Sequence, residues 1–213
     1  MEFAELLRIV QDEPVFETGL LLAGHVNPSG VQKQLSRWCA AGRLYQLRRG
    51  VYALAPPFQR SKPHPFVIAN RLVRGSYVSC QSVLAHYGLI PEYTPLTTSV
   101  TAGRPGQWDT PLGSFMYRHI QINLLYGYRL VEVGADQRAF VAAPEKALLD
   151  LIYLSPAGDN PAYLRELRLQ NLDRLNLTEL EQFAARSGRP KLKRAVAHIR
   201  DLAQGEAAEY EIL

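Results

Sequence analysis

Apolar residues recur at helical spacing from the start of the chain: Phe3, Leu6, Leu7 and Val10 of FAELLRIV predict a first helix ending near Asp12. Pro14 breaks it, and a second apolar stretch runs from Val15 to Ala23, closed by Gly24. Asn27-Pro28 marks the next start, the Asn as cap and the Pro in the first turn. A third helix is predicted from about Pro28 to Ala41, with Gly42 as its terminator. Val31, Leu35, Trp38 and Cys39 share one side of it. The opposite side carries Ser29, Lys33, Ser36, Arg37 and Ala40, with Gln32 at its flank. Arg43 to Arg48 then alternates like a strand, Arg49-Gly50 makes a turn, and Val51 to Leu54 returns as a second strand. Three short helices and a basic-tipped hairpin predict a winged helix-turn-helix domain over residues 1–56.

The segment APPFQRSKPHP, Ala55 to Pro65, holds four prolines, which keep a chain extended and semi-rigid. Residues 57–65 are therefore expected to link two domains, the second spanning 66–213. In it, helical patterns are predicted at Pro65 to Val73 and Ser79 to Tyr87. Strands are predicted at Tyr77-Val78, Thr97 to Thr101 and Phe115 to Ile120, with Gly103 to Gly106 as a turn. A hairpin follows, Arg129 to Val133 with Arg138 to Ala142, and Pro144-Glu145-Lys146 opens an apolar helix. Ala162 to Arg168, Thr178 to Arg186 and Lys191 to Gln204 complete a helical C-terminus. The fold class expected is α+β, a winged helix followed by a mixed α+β domain.

Charge sharpens this picture. The 213 residues carry a net charge of +4, but no Asp or Glu occurs from 18 to 91. The same stretch holds Lys33, Arg37, Arg43, Arg48, Arg49, Arg60, Lys62, Arg71 and Arg74. Such a surface attracts phosphate, although charge alone also fits a merely solvated basic face. Pattern and charge together point to DNA: Ser29, Gln32, Lys33, Ser36 and Arg37 toward the major groove, Arg48 and Arg49 toward the adjacent backbone or minor groove. Arg and Gln pair with base edges, and Ser and Lys hold phosphates. A second basic cluster, Arg186, Arg189, Lys191, Lys193 and Arg194, lies within nine residues. It either extends that footprint, meets another partner or is a solvated helix start.

Other chemistry finds little footing. The histidines at 25, 64, 86, 119 and 198 lack the spacing of a metal site, and the two cysteines, Cys39 and Cys80, have no CxxC neighbour. Cys80 follows Ser79 at a helix start with no adjacent base, and reads as a structural thiol. No Walker loop or GxGxxG occurs. Neither catalysis, a cofactor nor a metal is expected. No apolar run reaches the roughly 18 residues of a membrane span, and the acidic, amphipathic start is unlike a secretory signal. A cytoplasmic protein without membrane contact is expected.

Four blocks carry a family resemblance. They are Leu47-Arg48-Arg49-Gly50-Val51-Tyr52, then Ser76 to Ser79 running into Ala85-His86-Tyr87-Gly88-Leu89-Ile90-Pro91-Glu92, Thr98 to Thr101, and Ala143-Pro144-Glu145-Lys146-Ala147-Leu148-Leu149-Asp150-Leu151. Over nearly its whole length the chain resembles the AbiE-type antitoxins (the AbiEi family), the regulator half of type IV, abortive-infection toxin–antitoxin pairs active in phage defence. The resemblance implies a gene beside a nucleotidyltransferase-like toxin. It implies autorepression of the shared operon through N-terminal contacts with double-stranded operator DNA, expected to hold inverted repeats. It also implies neutralisation of the toxin by the C-terminal domain without a stable complex. The cations Arg48 and Arg49 and the face around Lys33 and Arg37 match the family's DNA-binding region. Glu145 and Lys146 read as the first turn of an apolar helix, and Gly88 as a helix terminator with Leu89 and Ile90 packed behind it. The family suggests no role for the acidic tail, Gly205 to Leu213. The alternative is a winged-helix transcriptional repressor whose C-terminal domain senses a small ligand or partner, without a toxin.

Overall fold

The protein's structure, a computed structural model, describes residues 1–23, 27–91 and 95–210, without the side chains of 206–210. Gly24, His25, Glu92 and residues 211–213 of the acidic tail therefore lie outside the described residues. The fold is mixed α+β.

The N-terminal part runs α1 (Phe3–Val10), β1 (Phe16–Glu17), α2 (Thr18–Leu21), α3 (Pro28–Ala40), β2 (Leu44–Arg48) and β3 (Val51–Leu54). The apolar stretch after Pro14 is divided: Phe16 and Glu17 pair antiparallel with Tyr52 and Val51, and only then does α2 turn. The resulting sheet has the order β1-β3-β2. One face packs against the helices, where Phe16, Leu44, Tyr52 and Leu54 bury with Leu6, Val10, Val31, Leu35 and Trp38. The other face, Val15, Leu47, Val51 and Ala53, is buried in the larger core of the following part. All four residues of β3 are consequently buried.

The sheet body continues with α4 (Pro65–Leu72), β4 (Ser76–Val78), α5 (Cys80–His86), β5 (Leu96–Thr101), β6 (Gly106–Thr110), β7 (Gly113–His119), β8 (Tyr128–Gly134) and β9 (Gln137–Ala142). These strands form a six-stranded sheet in the order β6-β7-β5-β4-β9-β8. The pairs β5–β7 and β4–β9 are parallel and the remaining pairs antiparallel. Strand β6 starts where the expected turn, Gly103 to Gly106, ends and covers residues for which no element is expected. It is an edge strand of alternating burial, and pairing with β7 rather than its own propensity makes it extended.

Tyr77 sits opposite Val100 and Tyr117 beside Ser99, so the two tyrosines point to opposite faces. Tyr117 Oη donates to the Ala69 carbonyl of α4 at 2.6 Å. Tyr77 reaches α6 (Pro144–Leu154), so helices cover both faces. The helices α7 (Pro161–Glu166), α8 (Leu177–Ser187) and α9 (Pro190–Tyr210) complete the chain. Gly88 (φ +69°) ends α5 in the left-handed conformation, and Leu89 and Ile90 are buried behind it.

Candidate nucleic-acid interface

Asn27 starts α3 as its sequence suggests: its Oδ1 accepts the Ser29 backbone N–H at 3.1 Å and the Ser29 hydroxyl at 2.8 Å. Val31, Leu35 and Trp38 anchor the buried side of the helix. That orientation leaves Ser29, Gln32, Lys33, Ser36 and Arg37 exposed on the remaining face. The hairpin β2–β3 follows directly. Its tip is tied down, because the Gly50 carbonyl accepts the Thr18 N–H at 2.9 Å and the Thr18 hydroxyl at 3.3 Å. Gly50 has φ +81°, which suits glycine at the turn.

The two hairpin arginines differ. Arg49 is exposed at the turn. Arg48 Nη1 donates to the Leu72 carbonyl, and its guanidinium lies 5.9 Å from the Trp108 ring centre. A register shift between Gln46 and Arg48 accompanies this turn toward the sheet body. Arg43, another cation of the acid-free stretch, stacks 5.0 Å over Phe3.

The acid-free stretch of sequence is not acid-free in space. Arg60 pairs with Asp12 at 2.7 Å, Arg71 with Glu13 at 3.0 Å, and Arg74 with Glu17, its Nε 3.1 Å from Oε1. The acids that precede the stretch fold back onto three of its cations, and the Arg60 and Arg71 pairs line a cleft of about 850 Å³ between the N-terminal part and the sheet body. Linear charge counting does not reveal this, since the partners stand 48 to 58 positions apart.

The second basic cluster is dispersed by its own hydrogen bonds. Arg186 lies 4.1 Å over the Tyr126 ring, and Arg189 donates to Gln121 Oε1. Lys191 Nζ donates to the carbonyls of Tyr153 and Ser155, and Arg194 holds Asp159 at 2.7 and 2.9 Å. Lys193 is exposed. Arg118 adds a bond to the Leu154 carbonyl at 3.3 Å, so two cations serve the C-terminal end of α6, where carbonyls lack helical partners.

A polar network missed by the sequence reading lies inside the sheet body. Lys146 Nζ donates to Tyr77 Oη at 2.9 Å and forms an ion pair with Asp150. Asp150 Oδ2 also accepts the Tyr77 hydroxyl at 3.0 Å and the Ser79 hydroxyl at 2.7 Å. Both charged side chains are only 3% exposed, which closes the network to solvent. Burial raises the Asp150 carboxyl above its ordinary range, while Lys146 and the two hydroxyls pull it back. Glu145, also buried, accepts the Asn176 N–H at 2.7 Å and fastens α8 to α6. The available signal was Lys146 and Asp150 at i and i+4 within an otherwise apolar helix.

Cys80 adjoins this network with φ +55°, and burial pushes its thiol up to about 12, which keeps it protonated and poorly nucleophilic. Among the described residues no group of three or more His, Cys, Asp or Glu is arranged to hold a metal, and no helix is long and apolar enough to cross a membrane. Compared with family models and with curated proteins, the chain matches none of them.

Proposed function

We propose that the chain is a DNA-binding antitoxin of the AbiE type. Its N-terminal part acts as a winged helix, and the protein represses its own operon in the cytoplasm. The observation that carries the DNA reading is the exposed face of α3, Gln32, Lys33, Ser36 and Arg37, beside a hairpin with Arg49 at its turn. In this reading α3 enters the major groove of operator DNA and Arg49 meets the flanking backbone. Antagonism of a nucleotidyltransferase-like toxin is assigned to the sheet body. It rests on the likeness of the Ala85 to Glu92 and Ala143 to Leu151 blocks to that family.

The test is a titration of the full-length protein against the promoter fragment upstream of its gene and against a scrambled duplex, at two salt concentrations. Preferential, salt-sensitive binding supports the reading, and rescue of cells expressing the neighbouring toxin gene then supports the antitoxin half. Equal affinity for both duplexes reduces the basic face to a solvated surface.

A further inference from the structure

A cleft of about 530 Å³ opens at the hairpin tip, where the N-terminal part meets the sheet body. Glu17, Thr18 and Gly19 form one wall, Arg48 to Val51 a second, and Arg71 to Arg74, at the end of α4 and just beyond it, the third. Four arginines thus line the cleft against one carboxylate, Glu17. Arg48 is held by the Leu72 carbonyl and Arg71 by Glu13. Arg49 is exposed, and Arg74 meets Glu17 with both its Nε and Nη2.

The Arg74–Glu17 pair is lopsided. The arginine side chain is 80% exposed, whereas Glu17 is 23% exposed and fixed in β1. An ion pair so open to water contributes little to stability, so its guanidinium is cheaply released. Guanidinium presents the same two-pronged fork to a phosphate as to a carboxylate. Because β3 is packed between both cores, the distance from Arg49 to Arg74 is set by the fold rather than by a loose linker.

We infer that Arg74, which lies outside the N-terminal winged-helix residues, is a contact for the phosphodiester backbone of duplex DNA. A phosphate entering the cleft beside Arg49 replaces Glu17 on the Arg74 guanidinium. Glu17 is the anion that occupies this fork in the free protein. The sheet body thereby takes part in holding DNA, and the footprint runs past the hairpin instead of ending at it. This inference rests on the DNA reading above. An acidic protein surface is the competing occupant.

The experiment measures affinity for the promoter duplex between about 50 and 200 mM salt, using full-length wild type, Arg74→Ala, Glu17→Gln and the double variant Lys33→Ala with Arg37→Ala. Thermal unfolding first confirms that each variant is folded. One lost phosphate contact lowers the log–log salt slope by about 0.9, so the affinity lost over that fourfold salt range shrinks about 3.5-fold. Arg74→Ala is expected to show that change, and Glu17→Gln is expected to bind DNA more tightly than wild type. If Arg74→Ala and Glu17→Gln both weaken binding without altering the slope, the pair is a strut between the two parts and the inference is overturned. An unaltered slope and affinity in Arg74→Ala overturns it as well, and leaves the cleft to an acidic protein partner. If Lys33→Ala with Arg37→Ala also behaves as wild type, the DNA reading itself has failed, which is a separate result.

Discussion

Arg48 donates its Nη1 to the carbonyl of Leu72, so a cation at the hairpin tip, though exposed, is tethered to the end of α4. Its neighbour Arg49 is exposed as well, but lies in the turn. Arg48 closes β2 whereas Arg49 belongs to the turn, and the Trp108 ring gives the Arg48 guanidinium an aromatic face to lie on.

The two arginines are therefore expected to separate in mutagenesis. Arg49→Ala should reduce the salt dependence of DNA binding by about one phosphate contact with little change in stability. Arg48→Ala should leave that slope in place and destabilise the fold by about 0.5–1.5 kcal/mol, the net range of a hydrogen bond, because water reaches this exposed arginine. Urea unfolding beside a salt titration of both variants decides it. A reduced slope in Arg48→Ala would mean that its guanidinium leaves Leu72 when DNA arrives.

The N-terminal sheet is shared between two cores, which bears on truncation. Cutting the chain near residue 60 exposes Val15, Leu47, Val51 and Ala53, all buried against the sheet body. The fragment 1–60 is expected to self-associate or bind an apolar dye, and the full chain to unfold in one cooperative transition. Calorimetry showing two separate transitions would contradict this, as would a monomeric, dye-negative fragment.

Much of this arrangement was legible locally. Asn27-Pro28 at the start of α3, Gly88 after α5 and Pro144 at the start of α6 act within a turn of their own position, through capping, positive φ and a fixed φ. The amphipathic pattern of α3 likewise placed Lys33 and Arg37 on the exposed face. What stayed hidden depends on partners distant in sequence. Two residues of β1 are extended because β3 lies beside them, and Trp108 sits in a strand because β7 does. The pairing of Arg71 with Glu13 is a product of tertiary packing, as is the contact of Lys146 with Tyr77, of which the sequence shows only the i, i+4 spacing of Lys146 and Asp150. The site is accordingly legible on α3 and only half legible on the hairpin, where composition does not say which arginine is tethered to the sheet body.

His64 caps α4, and its protonation should be felt as pH falls. Its Nδ1 accepts the Phe66 N–H at 3.2 Å, and its ring stands edge-on to Phe66. Burial first, and the charge of His86 second, hold its pKa below the ordinary 6.5. With the folded value lowered, the unfolded chain binds more protons near that pH. Stability is full above 6.5 and is lost as pH falls through 6.5 toward the folded value. Asn at this position can cap without titrating. The melting temperature of wild type is expected to drop between about pH 7.5 and 5.5, and that of His64→Asn to drop less. Parallel curves would assign the loss to other groups.

The ion pair of Lys146 and Asp150 lies in a closed core, so removing one partner strands the other. Lys146→Met keeps the aliphatic stem but leaves Asp150 facing only the Tyr77 and Ser79 hydroxyls. The expected cost is about 3–5 kcal/mol in chemical denaturation. Asp150→Asn retains an acceptor for those hydroxyls but leaves an uncompensated ammonium, so it too should destabilise strongly. Restoring neutrality in Lys146→Met with Asp150→Asn should recover part of the loss, giving a favourable coupling between the two sites. Affinity of the folded fraction for DNA should stay at the wild-type level in all three, because the pair is buried between α6 and the sheet, away from α3 and the hairpin. A double variant no better than the sum of its parts would show that the hydroxyls, rather than the opposite charges, hold this part of the core together.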